Sequence, residues 1–163
     1  MPQYPVPAAH SIVVGTPSGI MYMEFLQGAG TAILPGDVVE FTTPGTDCTV
    51  KAAAQDTNYV IGVADIHYAN LTTGGGKDRT HAYGLGDSVL IFRGTVICML
   101  RLAMHETLGV GCGEFLQPAG DGEVSVFTCG TDNDCLRVAQ ALETIAVDTD
   151  NFQWVMVALE RFG

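Results

Sequence analysis

The residues best suited to acid-base or metal chemistry in this chain are its four histidines, His10, His67, His81 and His105. None stands two or four positions from another, so no His-x-His ligand pair and no zinc-protease helix can be drawn. Five cysteines, Cys48, Cys98, Cys112, Cys129 and Cys135, are an odd number, which argues against a complete disulfide framework. Cys129 and Cys135 lack the second pair that a zinc site needs, and unrelated thiols or one opportunistic disulfide account for them better. Cys98 lies in the apolar run Val96-Ile97-Cys98-Met99-Leu100 and reads as a buried free thiol. Asp132-Asn133-Asp134 and Asp148-Thr149-Asp150-Asn151 offer the oxygen ligands that calcium prefers. Neither follows the twelve-residue calcium loop, and side chains that bond their own backbone explain the same residues as turns. Gly74-Gly75-Gly76-Lys77 has the look of a phosphate loop, but Asp78 stands where that loop needs a hydroxyl, and its carboxylate repels phosphate. No nucleophile elbow is present. The sequence therefore assigns no catalytic residue, no metal and no cofactor, and it reads as a protein that is not an enzyme.

Charge narrows the partners. Seven Lys and Arg stand against 18 Asp and Glu, a formal net charge of −11. Nucleic acid is bound largely through cations that displace counterions from phosphates, so it is not expected as a partner. An anionic membrane surface is disfavoured for the same reason, and the longest apolar run is far short of a membrane span. The first ten residues have neither a basic region nor an apolar stretch, so no secretory signal is read there, and synthesis in a reducing cytoplasm is expected.

The elements that would position any site are strands. Apolar residues make up 47% of the chain, charged residues 15%, and there are 20 glycines, a balance that suits short strands joined by tight turns. Residues 1–19 hold Pro2, Pro5, Pro7 and Pro17 and read as an extended N-terminal arm, since proline removes a backbone donor. Tyr4, Val6, Ile12, Val13 and Val14 give that arm apolar groups to dock on its own domain or on a neighbouring subunit. Residues 20–163 read as one β-barrel-like domain. Strands are predicted over residues 20–26, 38–41, 48–51, 59–64, 88–92, 95–102, 115–117, 124–128, 136–142 and 152–162. Residues 136–145 are the one place where a helix competes, because Leu, Ala, Gln and Glu favour it. Residues 70–82 form a Gly-rich loop that carries Lys77 and Arg79. In residues 152–159 both alternating faces are apolar, which predicts a fully buried strand or one with a face on a partner.

The pattern repeats. Pro35-Gly36-Asp37-Val38-Val39, then Val50-Lys51-Ala52, Val60-Ile61-Gly62-Val63-Ala64 and residues 87–93 make one unit. Gly111-Cys112-Gly113-Glu114-Phe115-Leu116, then Val124-Ser125-Val126, residues 136–141 and residues 154–159 make another. Each unit is an opening turn, a hairpin, an Ala-bearing buried strand, a loop and a long apolar strand. Two such units could close one barrel and remove exposed sheet edges.

The order PGDVVEF, VKAAAQDTNYVIGVA and GDSVLIFRGTV, followed by the second Gly-rich turn and the second Ala-rich strand, resembles the capsid decoration (cement) proteins of tailed viruses of bacteria and archaea. The resemblance spans about residues 30–160. It implies an all-β, barrel-like domain with at most one short helix, placed on the outer capsid surface of a virion. It also implies a homotrimer, with the major capsid protein as partner and no catalysis. Tyr4, Val6, Ile12 and Val13 in the arm, with Lys77 and Arg79 in the loop, are the residues expected at the capsid or subunit interface. The alternative reading is a β-barrel that binds a small molecule or carbohydrate, which needs a concave pocket with aromatic walls.

Overall fold

Short runs of β-branched and aromatic residues, interrupted by Gly and Pro, dictate strands and tight turns along the whole chain. The computed structural model of the chain describes residues 12–15, 20–57, 59–67, 79–103, 109–128, 137–146 and 153–160. The strands are β1 (Val13–Gly15), β2 (Met21–Leu26), β3 (Val38–Phe41), β4 (Val50–Ala52), β5 (Val60–Ala64) and β6 (Ser88–Arg93). They continue as β7 (Ile97–Arg101), β8 (Phe115–Gly120), β9 (Glu123–Val126), β10 (Ala139–Ala141) and β11 (Trp154–Leu159). Among the described residues there is no helix. Where residues 136–145 left helix and strand in competition, β10 pairs with β8 on one side and β11 on the other. Two ladders of tertiary hydrogen bonds outweigh a weak helix propensity.

The strands form two antiparallel sheets, ordered β1-β7-β11-β10-β8-β9 and β2-β6-β5-β3-β4. With β1 set aside, both have one topology: the strand that comes first in each half pairs with the last, then the fourth, second and third follow. The duplication read in the sequence is thus a duplication of sheets. The residue that follows each first strand is used alike too. Gln27 makes a parallel bridge to Val50 on β4, and Leu102 makes one to Val124 on β9. Each sheet therefore curls until its first strand touches its far edge. The two units do not close one common barrel; they pack as a sandwich of two sheets.

Side-chain alternation explains the packing. One core cluster draws on both sheets, including Val38, Val63 and Phe92 from one and Leu100, Leu116, Val124, Val155 and Val157 from the other. The opposite face of the five-stranded sheet buries Val39, Val50, Ala64, Val89 and Ile91 beneath Ile33 and Tyr83. Neighbours such as Val38 and Val39, or Ile91 and Phe92, point to opposite faces. Both faces of β5 and β6 are covered, so these strands read as nearly unbroken apolar runs.

Part of the expected arm belongs to this core. Ile12 is completely buried, and β1 lies along the outer edge of β7, with Val13 opposite Cys98 and Ile12 accepting a hydrogen bond from the Met99 N–H at 2.9 Å.

Candidate interaction surface

Three turns are built alike. In Leu34-Pro35-Gly36-Asp37, Gly84-Leu85-Gly86-Asp87 and Gly111-Cys112-Gly113-Glu114 the third residue is a glycine with positive φ, the signature of a type II turn. In each, the acidic residue closes the turn twice. Its N–H donates to the first residue's carbonyl, at 3.0, 3.0 and 3.1 Å, and its carboxylate accepts that residue's N–H, at 2.7, 2.7 and 2.6 Å. These turns open β3, β6 and β8. The Gly-Asp and Gly-Glu pairs of the sequence are therefore structural caps.

Asp37 does more. It is fully buried, and its Oδ1 lies 2.7 Å from Nε of Arg101, which ends β7 and is 6% exposed. That contact lies outside hydrogen-bond alignment. A nitrogen of the same guanidinium reaches Glu123 Oε1 at 2.9 Å and the Asp121 carbonyl at 3.2 Å. Asp121 and Gly122 form the two-residue turn of the β8–β9 hairpin, with φ of 50° and 77°. Gly122 accepts the Val38 N–H at 2.8 Å and donates to the Ala53 carbonyl at 3.0 Å, so this hairpin tip is stitched into the other sheet. A side chain at 122 would lie 2.5 Å from Asp37 Cβ. Two carboxylates thus face one guanidinium. Glu123 is the more exposed and balances Arg101, while burial pushes Asp37 up to about 8 against the opposing pull of Arg101 and the Leu34 N–H. The cluster joins the sheets; the described residues contain no group of three or more metal ligands.

Trp154 at the start of β11 packs its ring against Gly36, where an added Cβ would lie 2.1 Å from the ring. The Arg79 guanidinium sits 5.5 Å from the centroid of the same ring. Of the strand expected to be fully buried or to present one face to a partner, Val155, Val157 and Leu159 are buried, while Trp154, Met156 and Ala158 are half-buried on the other face.

Four of the five large apolar side chains exposed among the described residues gather elsewhere, Tyr59 being the fifth. Met21, Tyr22 and Leu26 of β2 are 57%, 48% and 54% exposed, and Leu85 in the neighbouring turn is 73% exposed. The Gln27 N–H donates to Asp87 at the end of the β2–β6 ladder, and the Asp65 N–H donates to Leu90 on the opposite side of β6. Antiparallel pairs alternate, so Met21, Met23 and Phe25 bond to β6 while the backbones of Tyr22, Glu24 and Leu26 point outward. Among the described residues nothing pairs with that outer edge. Of the other three edge strands, β4 is bridged by the chain at Gln27 and Gly28 and β9 by Leu102 and Ala103, while β1, lying outside β7, ends the six-stranded sheet. The Tyr22 hydroxyl bonds the half-buried Asp65 carboxylate, and Glu24 meets His67 Nε2 at 2.9 Å.

A groove of about 490 Å³ opens between Val110, Glu114, Val126, Thr128 and Ile145. Among the described residues no aromatic side chain lines this groove.

Of the residues expected at an interface, Ile12 is completely buried in the chain's own core, one of the two dockings open to the arm. Val13 is half-buried in β1, and Arg79 is engaged on Trp154. Tyr4, Val6 and Lys77 lie outside the described residues, as do Cys129, Cys135 and the two Asp/Asn-rich turns. Sequence reading missed the β2 edge. Its signal was the run Met21-Tyr22-Met23-Glu24-Phe25-Leu26, apolar on both faces with one acid in the middle, which also fits a buried strand.

No family model matches the chain, and no curated protein matches it in sequence. Among solved structures, its fold is similar to the head fiber gp8.5 N base of bacteriophage phi29, with a TM-score of 0.53 and 14% identity. The match covers 87% of this chain and 97% of that one. At that identity the likeness is one of fold.

Proposed function

We propose that this chain is a structural protein associated with a bacteriophage head. The observation that carries the reading is the shared fold with a head-fiber base over nearly the full length of both chains. The sequence motifs that resemble capsid decoration proteins support the same class independently. In its finer form the protein is a cement protein: a homotrimer on the outer surface of the shell, non-catalytic, bridging neighbouring major capsid subunits. Several modest contacts made at once would multiply through effective concentration, so no single contact has to be strong. An acidic body with net charge −11 would be steered to neutral or basic ground on the shell.

The test is sedimentation of the purified chain with capsid shells of the virus that encodes it. Saturable co-sedimentation, and shells that withstand a higher temperature when coated, are the expected results. A chain that stays in the supernatant at low and high salt would sink the reading.

A further inference from the structure

We infer that the outer edge of β2 receives residues 4–8 of a second copy of this chain as an added strand. The reading concerns how copies hold one another, and it stands whatever surface the assembly binds.

The site is a sheet edge with the properties of an unfinished one. The backbones of Tyr22, Glu24 and Leu26 face outward, and the exposed side chains of Met21, Tyr22, Leu26 and Leu85 flank them. Proteins commonly blunt long apolar edges, because such edges recruit other strands. In the other half of this molecule the equivalent edge, on β7, is finished by β1, a piece of the N-terminal segment. One half of the duplication thus already uses strand addition at this position; in the other half no described residue pairs there.

The sequence before Ile12 fits the vacancy. Backbone groups of a strand alternate sides, so Pro5 and Pro7 share one side while Tyr4, Val6 and Ala8 share the other. A strand with proline on one side only is built for an edge, since its proline side needs no partner. It would also end the sheet and stop further addition. Charge agrees. The chain is strongly acidic, yet residues 1–23 contain no Asp or Glu, so this segment can lie beside Glu24 without repulsion. Direct pairing of two β2 edges would instead bring Glu24 of each copy close together.

Geometry favours exchange between copies. The Asp65 carboxylate takes hydrogen bonds from the Ile12 N–H and the Tyr22 hydroxyl, so the root of the segment stands beside β2. The eleven residues before Ile12 reach roughly 35–40 Å when extended. Among the described residues no strand lies beside this edge, and docking of a segment on its own chain is the outcome that the single-chain mass below would reveal. A neighbour's segment, emerging beside its own β2, makes the exchange reciprocal. Each copy gives one strand and receives one, which closes an assembly.

Light scattering on three proteins tests this: the full chain, the chain lacking residues 1–11, and Glu24→Pro, whose N–H makes no bond to β6. The full chain should show a multiple of the single-chain mass. Both variants should show the single-chain mass, each with a Tm close to that of the full chain. A synthetic peptide of residues 1–11 should bind the truncated chain, and not the truncated chain that also carries Glu24→Pro. A full chain of single mass at every concentration overturns the proposal, whether its segment serves its own chain or another protein. An unchanged oligomer in either variant overturns it as well. Should the truncated chain fail to fold, Glu24→Pro alone decides.

Discussion

Arg101 Nε lies 2.7 Å from Asp37 Oδ1, and this one contact ties the end of β7 in the six-stranded sheet to the turn that opens β3 in the five-stranded sheet. Both side chains are buried, and Glu123 shares the guanidinium. The relationship is the charged seam of the sandwich, and it has consequences for stability.

The first concerns pH. Asp37 holds its proton up to about pH 8 in the folded chain, against an ordinary value of 3.8. The folded-state value is the higher one, so the stability contributed by this group is full below about pH 4. It declines as pH rises through the window toward 8. Asp37→Asn keeps an oxygen for the Leu34 N–H and removes the ionisation. Thermal unfolding from pH 5 to 8 should therefore show a shallower loss of Tm in Asp37→Asn than in the parent. Parallel curves would contradict the assignment. Asp65, also raised by burial, is present in both proteins and cancels in the comparison.

The second concerns the guanidinium. Arg101→Ala leaves Glu123 without its counter-ion and opens a hole between the sheets. Removing one partner of a buried pair costs about 3–5 kcal/mol. Urea unfolding should show a loss of that order, and a loss below about 1 kcal/mol would mean that the cluster is solvated and contributes little.

The third concerns Gly36. Its φ is +90°, and the Trp154 ring occupies the space where a Cβ would project. Gly36→Ala meets strain and overlap together and should cost more than the roughly 1 kcal/mol typical of a point mutation. Trp154→Leu in the same chain frees space and should recover part of the loss. A double-mutant cycle by urea unfolding measures the coupling, and strict additivity would count against the packing described here.

The fourth separates the two parts of the N-terminal segment. Ile12 is fully buried in the main core, so Ile12→Ala should cost about 2–5 kcal/mol by urea unfolding. A destabilisation of a few tenths would place Ile12 outside the core. Any truncation meant to test the segment must therefore stop at residue 11, because removal of residues 1–19 also removes β1 and its ladder to β7.

Much of this was determined by the sequence alone. β-branched runs between Gly and Pro turns determined an all-β chain, and two like successions of turn, hairpin, Ala-bearing strand and long strand determined a duplication. These are local signals: each needs only a side chain's shape, a proline's missing donor or a glycine's freedom of φ. Alternation also determined which residues share a face, as with Val38 and Val39. What lies against each face was decided by tertiary structure, since periodicity is silent about partners. Only the fold brought Arg101 to Asp37, turned two repeats into two packed sheets rather than one barrel, and drew Ile12 from an expected arm into the core. It also left β2 at an edge. Its apolar run reads like that of the buried strands, because what separates them is whether another strand lies alongside, and that depends on contacts between residues far apart in the chain.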